Sequence, residues 1–333
     1  MKRRWPGAVL AWLKPMVGIA LLAILLHIVS VRSVLQELKA ARPSLLALAL
    51  VVVFGGMLIS ALKLWLLVRT SVPNASLLGV LHAYYVGLFF NNFLPTSVGG
   101  DVVKVAGLRR VGVPAGHGAA CVVVERGVGL LVVMGLAAAV GLGWPGLFER
   151  LDLPAARWPM AALGLGAFMG LAVAYGLWRG RLKAFLKSRQ ESPILGRLYG
   201  VISAFYVFRD RPATTMGALG LSVVFYALGA ANIVIVARAV GVDLPLGLAV
   251  GILPFVKIPE MLPVSPGALG VREGALAWCL AGVGATGAQA ASVALLLRIL
   301  TWAHSALGGC AYALAHRGAR RPLAPTDEPA EEE

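Results

Sequence analysis

Apolar residues run along this chain in long, nearly uninterrupted blocks separated by short polar clusters, a pattern that predicts helices crossing a membrane. Blocks of about 20 residues, the length a bilayer requires, fall at 16–31, 45–68, 118–142, 159–178, 213–236 and 288–315. Two further regions break the pattern. Residues 77–94 followed by 99–110, and 246–262 followed by 268–283, are each an apolar segment, a Pro/Gly break and a second segment that is short or charged. The breaks read Leu94-Pro-Thr-Ser-Val-Gly-Gly-Asp101 and, in reduced form, Leu262-Pro-Val-Ser-Pro-Gly267. Non-helical backbone at membrane depth leaves amides unpaired, so it is tolerated only inside protein or beside a water-filled cavity. Paired breaks in the two halves of a transporter point to its binding site.

The pattern therefore predicts an all-α polytopic membrane bundle: six full spans plus two re-entrant broken-helix pairs in an inverted repeat, about 45–142 and 213–315. The competing count is eight simple spans. Both leave the two ends on the same side. Residues 1–321 are expected to form one membrane domain, and 322–333, proline-rich and acidic, a disordered tail.

Composition agrees. Of 333 residues 59% are hydrophobic and only 14% charged, with a mean hydropathy of +0.83; a soluble domain carries about 25% charged residues. The net charge of +15 raises nucleic acid as a partner, but the basic residues sit mostly between apolar blocks, as the positive-inside rule predicts. Lys2, Arg3, Arg4 and Lys14 precede the first block, which has no small-residue cleavage site after it and reads as an uncleaved first span. Residues 32–41 suit a short interfacial helix. The basic segment 179–211 is expected in the cytoplasm, along anionic headgroups of the inner leaflet or simply as a solvated loop. Both termini are then cytoplasmic and the protein sits in the plasma (inner) membrane. Cys121, Cys279 and Cys310 lie singly in apolar blocks and read as packing residues; His82, His117 and His304 are equally scattered, and no cluster has metal spacing.

An ionisable residue at the centre of a bilayer costs about 2.5 to 3.5 kcal/mol on insertion scales, so by default it faces a cavity. Here such residues gather beside the breaks: Asp101, Lys104, Glu125 and Arg126 in the first half, Lys257, Glu260, Arg272, Glu273 and Arg298 in the second. Arg126 and Arg298 either grip one phosphate from opposite halves, as a planar guanidinium fork allows, or pair with acids, Arg126 with Asp101 and Arg298 with Glu273 or Glu260. Asn91, Asn92, Ser97 and Ser265 offer neutral hydrogen bonds at similar depth. Gly99, Gly100, Gly267 and Gly270 permit unusual dihedrals or close backbone approach, and the helix starts that follow would present free amides to an anion. Acids and bases are about equal in number, which leaves an anionic or a zwitterionic headgroup open.

Three ordered motifs carry a family resemblance: Phe89-Phe-Asn-Asn-Phe-Leu-Pro-Thr-Ser-Val-Gly-Gly-Asp-Val-Val-Lys104, Glu125-Arg-Gly-Val-Gly129 and Pro263-Val-Ser-Pro-Gly-Ala-Leu-Gly-Val-Arg-Glu-Gly274. Over nearly its whole length the chain resembles the lysylphosphatidylglycerol synthase transmembrane family. In that family an acidic residue commonly precedes the arginine of the middle motif, as Glu125 precedes Arg126. The third motif usually reads Pro-Gly-Gly-Leu-Gly, and Ala268 replaces one glycine here. The resemblance implies movement of a lipid headgroup between leaflets, an aminoacylated phosphatidylglycerol in the best-known members. Those members carry a soluble aminoacyl-transferring domain after the membrane part; this chain ends soon after its last span, so no synthase activity is expected.

The leading expectation is a lipid translocase rather than an enzyme, with no cofactor. No Gly-x4-Gly-Lys-Ser/Thr phosphate loop is present to couple it directly to ATP. The alternatives are an integral membrane enzyme acting on a polyprenyl-phosphate or glycolipid, and a scaffold for lipid-synthesis enzymes. A homo-oligomer is compatible with each.

Overall fold

The computed structural model describes residues 6–93, 99–177, 211–262 and 264–319. Among these residues every regular element is helical: twelve α-helices, numbered here in chain order, and two single 3-10 turns at Pro154–Ala156 and Pro266–Ala268. Segment 179–210 and the acidic tail lie outside the described residues.

Helix α1 (Pro6–Val29) and α2 (Val31–Ala40) meet at a bend of 85°. The bend is at Ser30, whose φ of +67° breaks the helical path. Helix α2 buries Val34 and exposes Arg32 and Lys39, the amphipathic helix expected at 32–41. Helix α3 (Pro43–Val68) starts on a proline, whose fixed φ suits a first helical position. Its 26 residues reach about 39 Å, more than a hydrocarbon core needs.

Helices α4 (Leu77–Phe93) and α5 (Gly99–Arg110) follow, about 25 and 18 Å long. They lie antiparallel, because Gly79 abuts Val111, Ala83 abuts Gly107, and Gly87 and Asn91 abut Gly100. A Cβ added at Gly107 would stand 2.7 Å from that of Ala83, so only glycine permits this spacing. The first pair therefore folds back on itself and does not run in line as one broken crossing.

Helix α6 (Ala115–Gly143) leads through the short α7 (Pro145–Arg150) to α8 (Arg157–Leu177), and α9 (Pro212–Ala239) packs along α3. Helix α10 (Leu246–Glu260) carries Pro254 and Pro259 inside it, each of which removes one helical hydrogen bond. It packs on α11 (Val271–Gly282), and α12 (Gly287–Ala319) closes the bundle against α4 and α11. There is no room for a side chain at Gly308, where a Cβ would overlap the Tyr85 carbonyl.

Four helices, α3, α6, α9 and α12, are long and apolar enough to cross a membrane; the bent α1–α2 pair makes a fifth if it is one span. Six full crossings were expected. The first of them bends away at Ser30, and the one at 159–178 is α8, whose last side chains are outside the described set. Large apolar side chains point outward, among them Val51, Phe54, Leu130, Met169, Val223 and Leu307, while the buried positions are rich in alanine, glycine and serine. That inversion is how helices pack in lipid, where small residues let backbones approach. One apolar core joins α3, α4, α5 and α6; a second joins α7, α9, α10, α11 and α12 with the end of α6.

Candidate functional site

Between these cores lies a cavity of about 440 Å³. Helices α3 and α9 form its apolar wall, with Val52, Val53, Met57, Phe225 and Leu228. Its charged wall comes from both broken pairs and from the spans that follow them. Twelve of the sixteen candidate residues line it: Asn91, Asn92, Asp101, Lys104, Glu125 and Arg126 from the first half, and Lys257, Glu260, Ser265, Gly267, Arg272 and Arg298 from the second. Glu273 sits behind the wall. Gly99 and Gly100 begin α5, with Gly100 buried against α4. Ser97 lies outside the described residues.

In the first half the charges form a chain. Lys104 Nζ donates to Glu125 Oε2 at 3.1 Å and stands 3.8 Å from Asp101 Oδ1. Asp101 Oδ2 pairs with Arg126 Nε at 2.5 Å. The Lys104 ammonium also lies over the Tyr84 ring, 4.3 Å from its centre, an attraction that strengthens with desolvation. Lys63 completes the group from α3: its Nζ is 3.8 Å from Glu125 Oε1 and donates to Ser222 Oγ on α9 at 3.1 Å. Glu125 is thus held between two buried lysines. Arg126 differs from its neighbours, with about half of its side chain exposed.

The second half is built around Glu273. One of its carboxylate oxygens accepts the Gly270 N–H at 2.7 Å, capping the start of α11. The other accepts Arg298 Nε at 2.6 Å. Arg298 Nη1 and Nη2 donate to the carbonyls of Gly267 and Ala268 at 3.0 and 3.3 Å. All three Arg298 nitrogens are therefore committed to the second break. Ser265 Oγ adds a bond to the Leu269 carbonyl at 2.7 Å. Gly267, Ala268 and Gly270 adopt φ of +55°, +55° and +80°, so the glycines occupy the left-handed region as their residue type favours, and Ala268 is carried there by this network. Lys257 and Glu260 pair at 2.7 Å on the last turn of α10. Arg272 lines the cavity half-buried, with no hydrogen bond or ion pair among the described residues.

The second break adjoins the end of α4. A Cβ at Gly267 would stand 3.7 Å from Asn92 Oδ1 and 3.9 Å from the Asn91 carbonyl. Asn92 Nδ2 donates to Ser305 Oγ on α12 at 2.8 Å. Of the two arrangements open for the arginines, each makes its ion pair, Arg126 with Asp101 and Arg298 with Glu273. The near balance of acids and bases along the sequence becomes a surplus at the cavity: five cationic side chains and three carboxylates line it, and Lys63 and Glu273 add one of each behind, leaving two cations in excess.

Several residues of the site carried too little signal to be selected from sequence. Lys63 is an ionisable residue in an apolar block, the mark used for the others, but its place near the end of that block reads equally as an interfacial lysine. Tyr84, Ser222 and Asn232 are ordinary in composition, and only packing brings them to the site. Among the histidines, His117 meets the Thr70 and Ser71 hydroxyls at 3.5 and 3.0 Å, and His304 is buried with Nε2 unpartnered. Cys121 and Cys279 are buried and Cys310 exposed; no group of metal-ligating side chains occurs among the described residues.

The family model described as lysylphosphatidylglycerol synthase TM region matches residues 11–309. No curated protein and no solved structure matches the chain. The match runs through both broken pairs and every span that walls the cavity. The chain is an integral membrane protein and belongs to the lysylphosphatidylglycerol synthase transmembrane-region family.

Proposed function

We propose that this protein is a lipid translocase, not an enzyme, that passes a charged headgroup between leaflets through the cavity at the two breaks. One observation carries the reading: a single cavity joins charged groups from both broken helix pairs to an apolar wall from α3 and α9. A volume near 440 Å³ is that of a small-molecule site and accommodates a headgroup. The apolar wall suits the chains, which stay in lipid.

An inverted repeat supplies the mechanism. The pattern of helix contacts supports it, with α3 to α6 taken as equivalent to α9 to α12. Helix α4 packs on α12 as α10 packs on α6; α4 packs on α5 as α10 on α11; α3 touches α6 as α9 touches α12; and the equivalent α3 and α9 pack on each other. Two pseudo-symmetric halves that exchange conformations give alternating access around a fixed midplane site. In this reading the protein resides in the inner membrane with both termini in the cytoplasm. The basic segment 179–211, of which all but Arg211 is outside the described residues, rests on anionic lipid.

Reconstitution tests the reading. In proteoliposomes with fluorescent phospholipids, a membrane-impermeant quencher added outside bleaches more than the outer leaflet's share if lipid crosses. The full-length protein is expected to accelerate crossing, and Arg126→Ala, which removes the most exposed charge of the cavity, to slow it about tenfold or more. Bleaching equal to that of protein-free vesicles for every lipid class would overturn the proposal.

A further inference from the structure

The cavity's own chemistry narrows the cargo, on the reading that the site moves lipid. Two features are unsatisfied within it. The first is charge: its ionisable groups hold two more cations than carboxylates. Three of the lining cations are arginines, which keep their charge in any protein environment. Arg298 spends its donors on Glu273 and the second break, and Arg126 has Asp101. Arg272 makes no hydrogen bond or close ion pair among the described residues; the carboxylate its charge acts on, Glu260, is already held by Lys257 at 2.7 Å. A guanidinium at membrane depth that only shares a carboxylate with a lysine is under-compensated, and a phosphate oxygen pair fits its planar fork.

The second feature is hydrogen bonding. Asn232, on α9 and only 6% exposed, lines the cavity with its Oδ1 unpartnered, and Asn91 Oδ1 is likewise buried and unpartnered on the facing α4. Both atoms are acceptors, and a buried polar atom left unmatched costs free energy. A fully ionised phosphate supplies no donor. An ammonium would supply one but would add to a cationic surplus. Hydroxyl groups donate without adding charge.

We infer that the cavity selects a lipid with an anionic phosphodiester headgroup bearing free hydroxyls, its phosphate on Arg272 and its hydroxyls on Asn232 and Asn91. Arg298 and Glu273 are then positioning residues that hold the second break, and the headgroup does not depend on Arg298 for its charge. Zwitterionic and aminoacylated headgroups, which bring a cation into the surplus, are poor cargo.

Transbilayer rates of a lipid series in the same proteoliposomes test this. Phosphatidylglycerol and phosphatidylinositol probes are expected to cross at least about tenfold faster than phosphatidylcholine and phosphatidylethanolamine probes, and faster than phosphatidic acid, which lacks hydroxyls. Arg272→Gln should collapse the anionic-to-zwitterionic ratio and Arg272→Lys restore part of it. Asn232→Leu should collapse the ratio of phosphatidylglycerol to phosphatidic acid. Equal acceleration of zwitterionic and anionic probes would overturn the selectivity while leaving translocation intact. No acceleration of any probe would remove the translocase reading itself. Vesicles that take up free inorganic phosphate but move no lipid would assign the anion site to a soluble ion. Should Arg272→Gln fail to fold, the lipid series on the unmodified protein still decides.

Discussion

Glu273 is only 1% exposed and is tolerated there because both its oxygens are occupied, one by a backbone amide and one by Arg298. Breaking a buried pair costs more than the pair contributes, since the surviving charge is left without compensation. Glu273→Ala is expected to destabilise the protein by about 3 to 5 kcal/mol, read as a lowered melting temperature in detergent. Arg126→Ala, at a half-exposed pair, should cost about 1 kcal/mol or less. Equal losses would show that the second break is not held by this carboxylate. Glu125 presents the opposite case, one carboxylate between Lys63 and Lys104. Either lysine can be lost while the other still compensates it. Lys63→Met and Lys104→Met are therefore expected to be non-additive, the double variant losing about 1 to 3 kcal/mol more than the summed singles. Additive losses in denaturant titrations would mean that the two lysines do not share Glu125.

At the scale of elements, the two breaks reach different ends by different means. The first pair closes through glycine: Gly87, Gly100 and Gly107 let α5 lie directly on α4. The second closes through side chains, the Arg298 and Glu273 bonds around Gly267 and Gly270. Its helix α10 already lacks two backbone bonds at Pro254 and Pro259. A disulfide needs Cβ atoms about 3.5 to 4.5 Å apart, which two helices running in line could not provide. Gly79→Cys with Val111→Cys, in a background without Cys121, Cys279 and Cys310, places the two Cβ atoms about 3.4 Å apart and should cross-link under mild oxidant. Failure to cross-link, with thiol labelling showing both cysteines accessible, would refute the antiparallel hairpin. Both breaks were visible in the sequence as Pro/Gly clusters between apolar runs. What closes each was not, because close approach depends on which residues of a second helix stand opposite.

Across the whole molecule, an inverted repeat makes a topological demand. The turn between α3 and α4 and the turn between α9 and α10 must lie on opposite faces of the membrane. Asn74 and Asp243 are exposed in these turns. Single cysteines at the two positions are expected to react with an impermeant thiol reagent from opposite sides, Asn74→Cys from the cytoplasm and Asp243→Cys from outside. Labelling of both from one side would exclude the inverted arrangement. The sequence alone determined that the chain is helical and membrane-embedded, where its helices break, and which motifs place it in its family. These are local properties, since a long apolar run or a proline acts on the backbone wherever the chain carries it. Only the tertiary structure decided that the second break adjoins the end of α4, that Arg298 is consumed by Glu273 and two carbonyls while Arg272 makes no close ion pair among the described residues, and that Lys63 and Asn232 belong to the site. Those outcomes rest on which face of one helix meets which face of another. Such pairings are set by packing between residues far apart in the chain, so the charge balance of the cavity emerges only when the bundle closes.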